Sequence, residues 1–158
     1  MLTETILGKT LMTLLIAMVP VVELRGAIPY GIAQGLPVWL AFSAAVVGNI
    51  LPVPLILLFI RQVFAWLRKM KFVGHAIDRL EKKAHVKGQM VDRYKTIGLC
   101  ILVAVPLPGT GAWTGALVAA LLDIRMRHAM PAIALGVIIA GGIITALSCS
   151  AVAIFRLV

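Results

Sequence analysis

Residues 38 to 60 and 129 to 155 contain no charged side chain. The first run is roughly 34 Å long if helical at about 1.5 Å per residue, enough to cross a hydrocarbon core of about 30 Å. Such runs have no place on the surface of a water-soluble domain. The rest of the 158-residue chain agrees: 61% of residues are apolar and 13% charged, with a mean hydropathy of +1.05, where soluble domains are about half apolar and a quarter charged. The expectation is one integral membrane domain, 1–158, all α-helical. Two cysteines, Cys100 and Cys149, exclude a disulfide-stapled fold or a Cys-based zinc framework and read as small core residues. A signal peptide over the first 22 residues is not expected, because Glu4 is unfavourable and no small-x-small cleavage site follows.

The net charge of +9 suggests nucleic acid until the basic residues are located. Ten of the fifteen lie between Arg61 and Lys95, flanked on both sides by apolar stretches. That is the distribution of a cytoplasmic loop under the positive-inside bias, so nucleic acid is not expected as a partner. Within this linker, 61–95, Met70, Val73, Ile77, Leu80, Ala84, Val91 and Tyr94 recur mostly at steps of three and four. The spacing predicts an amphipathic helix on the inner leaflet, its lysines near anionic headgroups and Trp66 near the interface. Packing of that face against a second protomer is the alternative.

The other two apolar stretches are broken in the middle. Residues 10–36 are interrupted by Pro20, Glu23, Arg25 and Gly26, and residues 97–122 by Pro106, Pro108, Gly109 and Gly111. The order is thus broken stretch, clean span, basic linker, broken stretch, clean span: an internal repeat of 1–60 and 96–158. Val19-Pro20 matches Val105-Pro106, Gly31 pairs with Gly115, and Gly48 with Gly136. Each broken stretch is either one kinked crossing or a re-entrant hairpin. The arms Ile97 to Val105 and Ala112 to Leu122 are only about 14 and 17 Å long, and re-entry keeps Arg125, Arg127 and His128 on the same side as the basic linker. The favoured architecture is an inverted repeat of a re-entrant helical hairpin plus a transmembrane helix, with hairpins 10–36 and 97–122 and spans 38–60 and 129–155. It places a multi-pass protein in the cytoplasmic membrane with the linker inside and both termini outside.

A charged side chain at mid-depth costs at least about 2.5 to 3.5 kcal/mol, which singles out Glu23 and Arg25. They sit at the proposed tip of the first hairpin beside Gly26. Arg25 and nearby helix N-terminal amides suit a phosphate or carboxylate; Glu23 either neutralises Arg25 in the empty site or carries a proton. The plain alternative is a Glu–Arg pair that satisfies itself at a bend. At the other tip, prolines stop one helix and Pro108, Gly109, Thr110, Gly111, Trp113 and Thr114 precede or open the next. Thr110 or Thr114 could cap that helix or donate to an anion, and Trp113 could pack against a ligand or the opposite hairpin. A tight turn is the plain alternative here too. Asn49, with Pro52 and Pro54, puts an amide and freed carbonyls inside a span, for a pathway or for helix packing. His75, His85 and His128 have no ligand spacing, and no nucleophile triad, carboxylate pair or metal cluster emerges, so neither enzymatic activity nor a cofactor is expected.

The segments from Val19 to Pro29 (VPVVELRGAIP) and from Pro106 to Gly115 (PLPGTGAWTG) resemble the two signatures of the small multidrug export protein family, and the resemblance covers nearly the whole chain. That family is similar in organisation to the DedA and VTT-domain membrane proteins, for which paired re-entrant hairpins and movement of lipids, including polyprenyl phosphates, are implied. The Arg-bearing second hairpin motif of DedA proteins is absent, with Thr110 and Trp113 in its place. The expected function is that of a transporter or lipid translocase for a substrate with an anionic headgroup, with proton coupling through Glu23. Export of amphipathic or cationic drugs, and a non-transporting scaffold, are the alternatives. The expected partners are membrane lipids, phosphate-bearing ones among them, and a second copy of the chain, since few helices enclose a pathway alone.

Overall fold

The computed structural model describes residues 5–67, 88–107 and 109–157, and these form seven α-helices without strands. They are α1 (Ile6–Met18), α2 (Glu23–Ala33), α3 (Val38–Ile50), α4 (Val53–Leu67), α5 (Gly88–Ala104), α6 (Ala112–Leu121) and α7 (Met126–Leu157). Two helical stretches, Val38–Ile60 and Met126–Val152, are long and apolar enough to cross a membrane.

Proline sets the breaks. A residue preceding proline is pushed out of the helical region, and Val19, before Pro20, ends α1 in an extended conformation (φ −72°, ψ 126°). Helix α5 likewise stops at Ala104, one residue before Val105 and two before Pro106. Pro52 and Pro54 have no N–H to give the carbonyls of Gly48 and Ile50, and the run 38–60 accordingly divides into α3 and α4 at residues 51 and 52.

The short inner helices end alike. After α2, the N–H groups of Gly35 and Leu36 bond back to the carbonyls of Ile32 and Gly31 at 2.9 and 3.0 Å. After α6, those of Asp123 and Ile124 bond to Ala120 and Ala119 at 3.2 and 2.9 Å. Both are Schellman closures with a buried apolar residue, Leu36 or Ile124, just beyond. The left-handed position is Gly35 in one and Asp123 in the other, at φ 80° and 51°. Lys9 Nζ also donates to the Gln34 carbonyl at 2.7 Å, placing a cation on the negative end of α2.

Helices approach through small residues, as they must where lipid supplies no hydrophobic drive. The most extensive pairs are α1 with α3 and α5 with α7. Gly48 lets α3 meet the Leu14 carbonyl of α1, and a Cβ at Gly136 of α7 would lie 2.8 Å from the Cys100 carbonyl of α5. Gly31 packs on Thr13 and Ala41, while Gly115 packs on Val103 and Ile133. Between the halves, α2 leans on α7, α6 on α4, and α3 on α7; Ile28, Leu57, Leu99, Ile133 and Val137 fill the core.

Gly136→Ala is expected to lower stability by about 1–3 kcal/mol, because the obstructing atoms, Val103 Cβ and the Cys100 carbonyl, cannot rotate away. Gly142 of the same helix has nothing within 4 Å of its prospective Cβ, so Gly142→Ala should gain up to about 1 kcal/mol of helix propensity. Thermal melts in detergent that rank the two alike would exclude the close crossing.

Several boundaries differ from expectation. The first broken stretch becomes helical at Ile6 rather than residue 10, and α7 overruns 129–155 at both ends. Helices α4 and α5 extend into the basic linker from either side, because hydropathy reports charge and not backbone conformation. Most of the predicted amphipathic helix, residues 68–87, lies outside the described residues.

Candidate functional site

Glu23, Arg25, Asn49, Thr110 and Gly111 converge on one small cavity of about 10 Å³, closed on its apolar side by Val103, Val137 and Ile144. The sequence separates these polar residues by up to 88 positions; the meeting of the two apices joins them.

The first apex turns sharply. Val21 and Glu23 have φ of 80° and 47°, a left-handed region that is costly for a β-branched residue, and residues 19–22 are exposed while Glu23 is 6% exposed. Helix α2 starts at Glu23 and projects Arg25 toward the second apex, where its Nη2 donates to the Thr110 carbonyl and, at 3.0 Å, to Thr110 Oγ1. Pro29 follows Arg25 by four residues inside α2 and so leaves the Arg25 carbonyl without its helical donor.

The second apex is held by Thr110. Its hydroxyl can donate to the carbonyl of Val105 at 2.7 Å or of Leu107 at 2.9 Å, and accepts the Leu107 N–H at 3.2 Å. Gly109 supplies the positive φ (85°) that the turn needs. Thr114 Oγ1 donates to the Gly109 carbonyl at 2.7 Å. The expectation that Thr110 or Thr114 caps α6 is therefore not met: both hydroxyls are engaged on turn carbonyls, and α6 has no side-chain cap from its N-cap residue Gly111.

The carboxylate of Glu23 lies there instead. Its Oε1 accepts the Trp113 N–H at 3.4 Å, and it rests against Gly111 so closely that any Cβ at that position would collide with it. Glu23 and Arg25 make no direct ion pair: among the described residues no carboxylate comes within 4.0 Å of the Arg25 guanidinium, and the two charges act on each other across the cavity that both line. The direct contacts of Arg25 are thus neutral acceptors on Thr110, while Glu23 answers the partial positive charge of a helix N-terminus.

Asn49 is fully buried, and neither its Oδ1 nor its Nδ2 has a partner among the described residues. Trp113 brings its backbone N–H to Glu23, and its indole Nε1 is likewise buried without a partner. Gly26 packs on Val22 and, with Gly109 and Thr114, does not line the cavity. Pro108 lies outside the described residues.

One feature escaped the sequence. A groove of about 480 Å³ runs between Pro29, Ile32 and Ala33 of α2 and Leu147, Ala151 and Val152 of α7, with Arg25 the one charged lining residue among the described residues. Its size is within the range of ligand pockets, about 300–1,000 Å³. The α7 side is a stripe at helical spacing, which in sequence is indistinguishable from any lipid-facing stripe.

A family model described as "Putative small multi-drug export protein" matches residues 23–143, a stretch that begins at Glu23 and contains Arg25, Asn49 and the second apex. No curated protein and no solved structure matches the chain.

Proposed function

The chain belongs to the small multidrug export protein family, and from that premise we propose that it is a multi-pass transporter moving amphiphiles with an anionic, phosphate-type headgroup across the cytoplasmic membrane, as a DedA-like lipid translocase would. The observation that carries this reading is Arg25, a cation in direct contact with no carboxylate among the described residues, at the end of an apolar groove. A headgroup at Arg25 leaves its chain alongside α2 and α7. In the empty site the Glu23 carboxylate across the same cavity is the charge that answers Arg25, and in so apolar a setting a ligand that takes its place is favoured when it is anionic.

The inverted-repeat architecture belongs to the same proposal. Its support is the mirrored packing: α1–α3 with α5–α7, α2–α7 with α6–α4, Gly48 with Gly136, and Gly31 with Gly115. Two re-entrant hairpins meeting at Arg25–Thr110 would expose their junction alternately to either face. Proton coupling through Glu23, the cytoplasmic position of the linker and the absence of catalysis are parts of this reading.

Drug export is the second reading, favoured by the family description and by the apolar lining, which suits any amphipathic body. Arg25 separates the two, since it repels a cationic head. The test is the full-length protein in phosphatidylcholine liposomes carrying a fluorescent alkyl phosphate or a fluorescent alkyltrimethylammonium, with flipping followed by impermeant quencher. Acceleration of the phosphate alone is the expected result. Faster movement of the ammonium would establish the drug-export reading, and no acceleration of either probe the scaffold.

A further inference from the structure

We propose that the Glu23 carboxylate is a built-in stand-in for the substrate's headgroup: it occupies the anion site at the start of α6, and a phosphate-type headgroup binds by displacing it. This inference rests on the reading that the Arg25 site takes an anion, and adds where the anion goes and what holds the site until it arrives.

Helix α6 starts without a cap of its own, and uncapped N-terminal amides attract an anion. The anion present comes from the opposite repeat, 90 positions away in the chain. It fits loosely: 3.4 Å from Oε1 to the Trp113 nitrogen is longer than the usual 2.7–3.2 Å for such a bond. Gly111 is what admits it. With φ 165° and ψ −164°, the backbone there is extended and open to any residue, so the missing side chain serves space and not conformation.

Asn49 supplies the independent sign of a ligand. Its fully buried amide lines the same cavity with neither atom partnered among the described residues, whereas buried amides are nearly always bonded. About 10 Å³ is room for one water and no phosphate. Withdrawal of the Glu23 carboxylate enlarges that room and leaves the α6 amides, the Asn49 amide and Arg25 around it. Arg25 lines both this cavity and the apolar groove, so one ligand can use both, headgroup in the cavity and chain between α2 and α7. The displaced carboxylate has an exposed apex, residues 19–22, to turn toward, and leaving φ 47° relaxes a backbone that only its contacts sustain.

Two substitutions remove the stand-in by different routes. Glu23→Gln deletes its charge at nearly constant volume. Gly111→Ala keeps the charge and expels the carboxylate, because the colliding atoms are the free end of a flexible side chain. The probe is dodecyl phosphate, titrated calorimetrically into full-length protein in a neutral maltoside. Each variant should bind it about tenfold more tightly than the unmodified protein, the size of one lost charge-assisted competitor. The double variant should bind no tighter than the better single one, since a competitor can be removed only once. If Arg25→Ala loses binding while both variants leave affinity unchanged or weaker, the stand-in is refuted and the anion site survives. If neither the unmodified protein nor either variant binds dodecyl phosphate, the anion reading itself fails. Should Glu23→Gln not fold, Gly111→Ala alone decides.

Discussion

Arg25→Ala is expected to slow alkyl-phosphate flipping by about 100-fold, the loss of roughly 3 kcal/mol carried by a charge-assisted contact in a poorly solvated site. Stability should move little, by about 1 kcal/mol or less. Alanine loses two hydrogen bonds to Thr110, but it also relieves the desolvation cost of a half-buried guanidinium. Arg25→Lys should fall between, because a compact ammonium keeps the charge but cannot offer the planar fork that spans Thr110 and a headgroup together. The ordering Arg, Lys, Ala is the signature of electrostatic recognition. Equal flipping by Arg25→Ala and the unmodified protein would remove Arg25 from the site, whatever the melts show.

The sequence made the fold legible where local chemistry decides it. Pro20 and Pro106 end helices through the residue before them, so Val19 and Val105 mark both breaks without tertiary information. Gly31, Gly48, Gly115 and Gly136, singled out in the sequence, each sit at a close helix crossing. Glu23, Arg25, Asn49, Thr110 and Gly111 stood out because polar or flexible residues in hydrocarbon need a reason. What each of them touches was not legible. Glu23 and Arg25, two residues apart, suggested a pair in direct contact, yet the left-handed turn at Val21 and Glu23 sends the carboxylate to α6 and leaves the guanidinium on Thr110, so that the two act on each other only across the cavity. No local rule places a valine at φ 80°; the contact between the apices imposes it. The groove was hidden for a related reason, since apolar side chains facing a cavity and facing lipid obey the same pattern.

Asn49→Ala carries the second large expectation, and its sign distinguishes function from packing. Truncating a fully buried apolar side chain such as Leu57 typically costs about 2–5 kcal/mol. Asn49 should behave oppositely, because its two amide atoms bear a desolvation cost of about 1–3 kcal/mol without hydrogen bonds in return. Removing them offsets the loss of a small side chain beside an existing cavity, so Asn49→Ala should melt no lower than the unmodified protein, and be more stable than Leu57→Ala by about 2–5 kcal/mol. Flipping should fall by about tenfold, the share of one donor to a charged headgroup. A residue kept at a cost to stability and at a gain to transport is what a binding site requires. If Asn49→Ala instead unfolds as readily as Leu57→Ala, its amide bridges helices through partners of its own, and the headgroup must be held by Arg25 and the start of α6 alone.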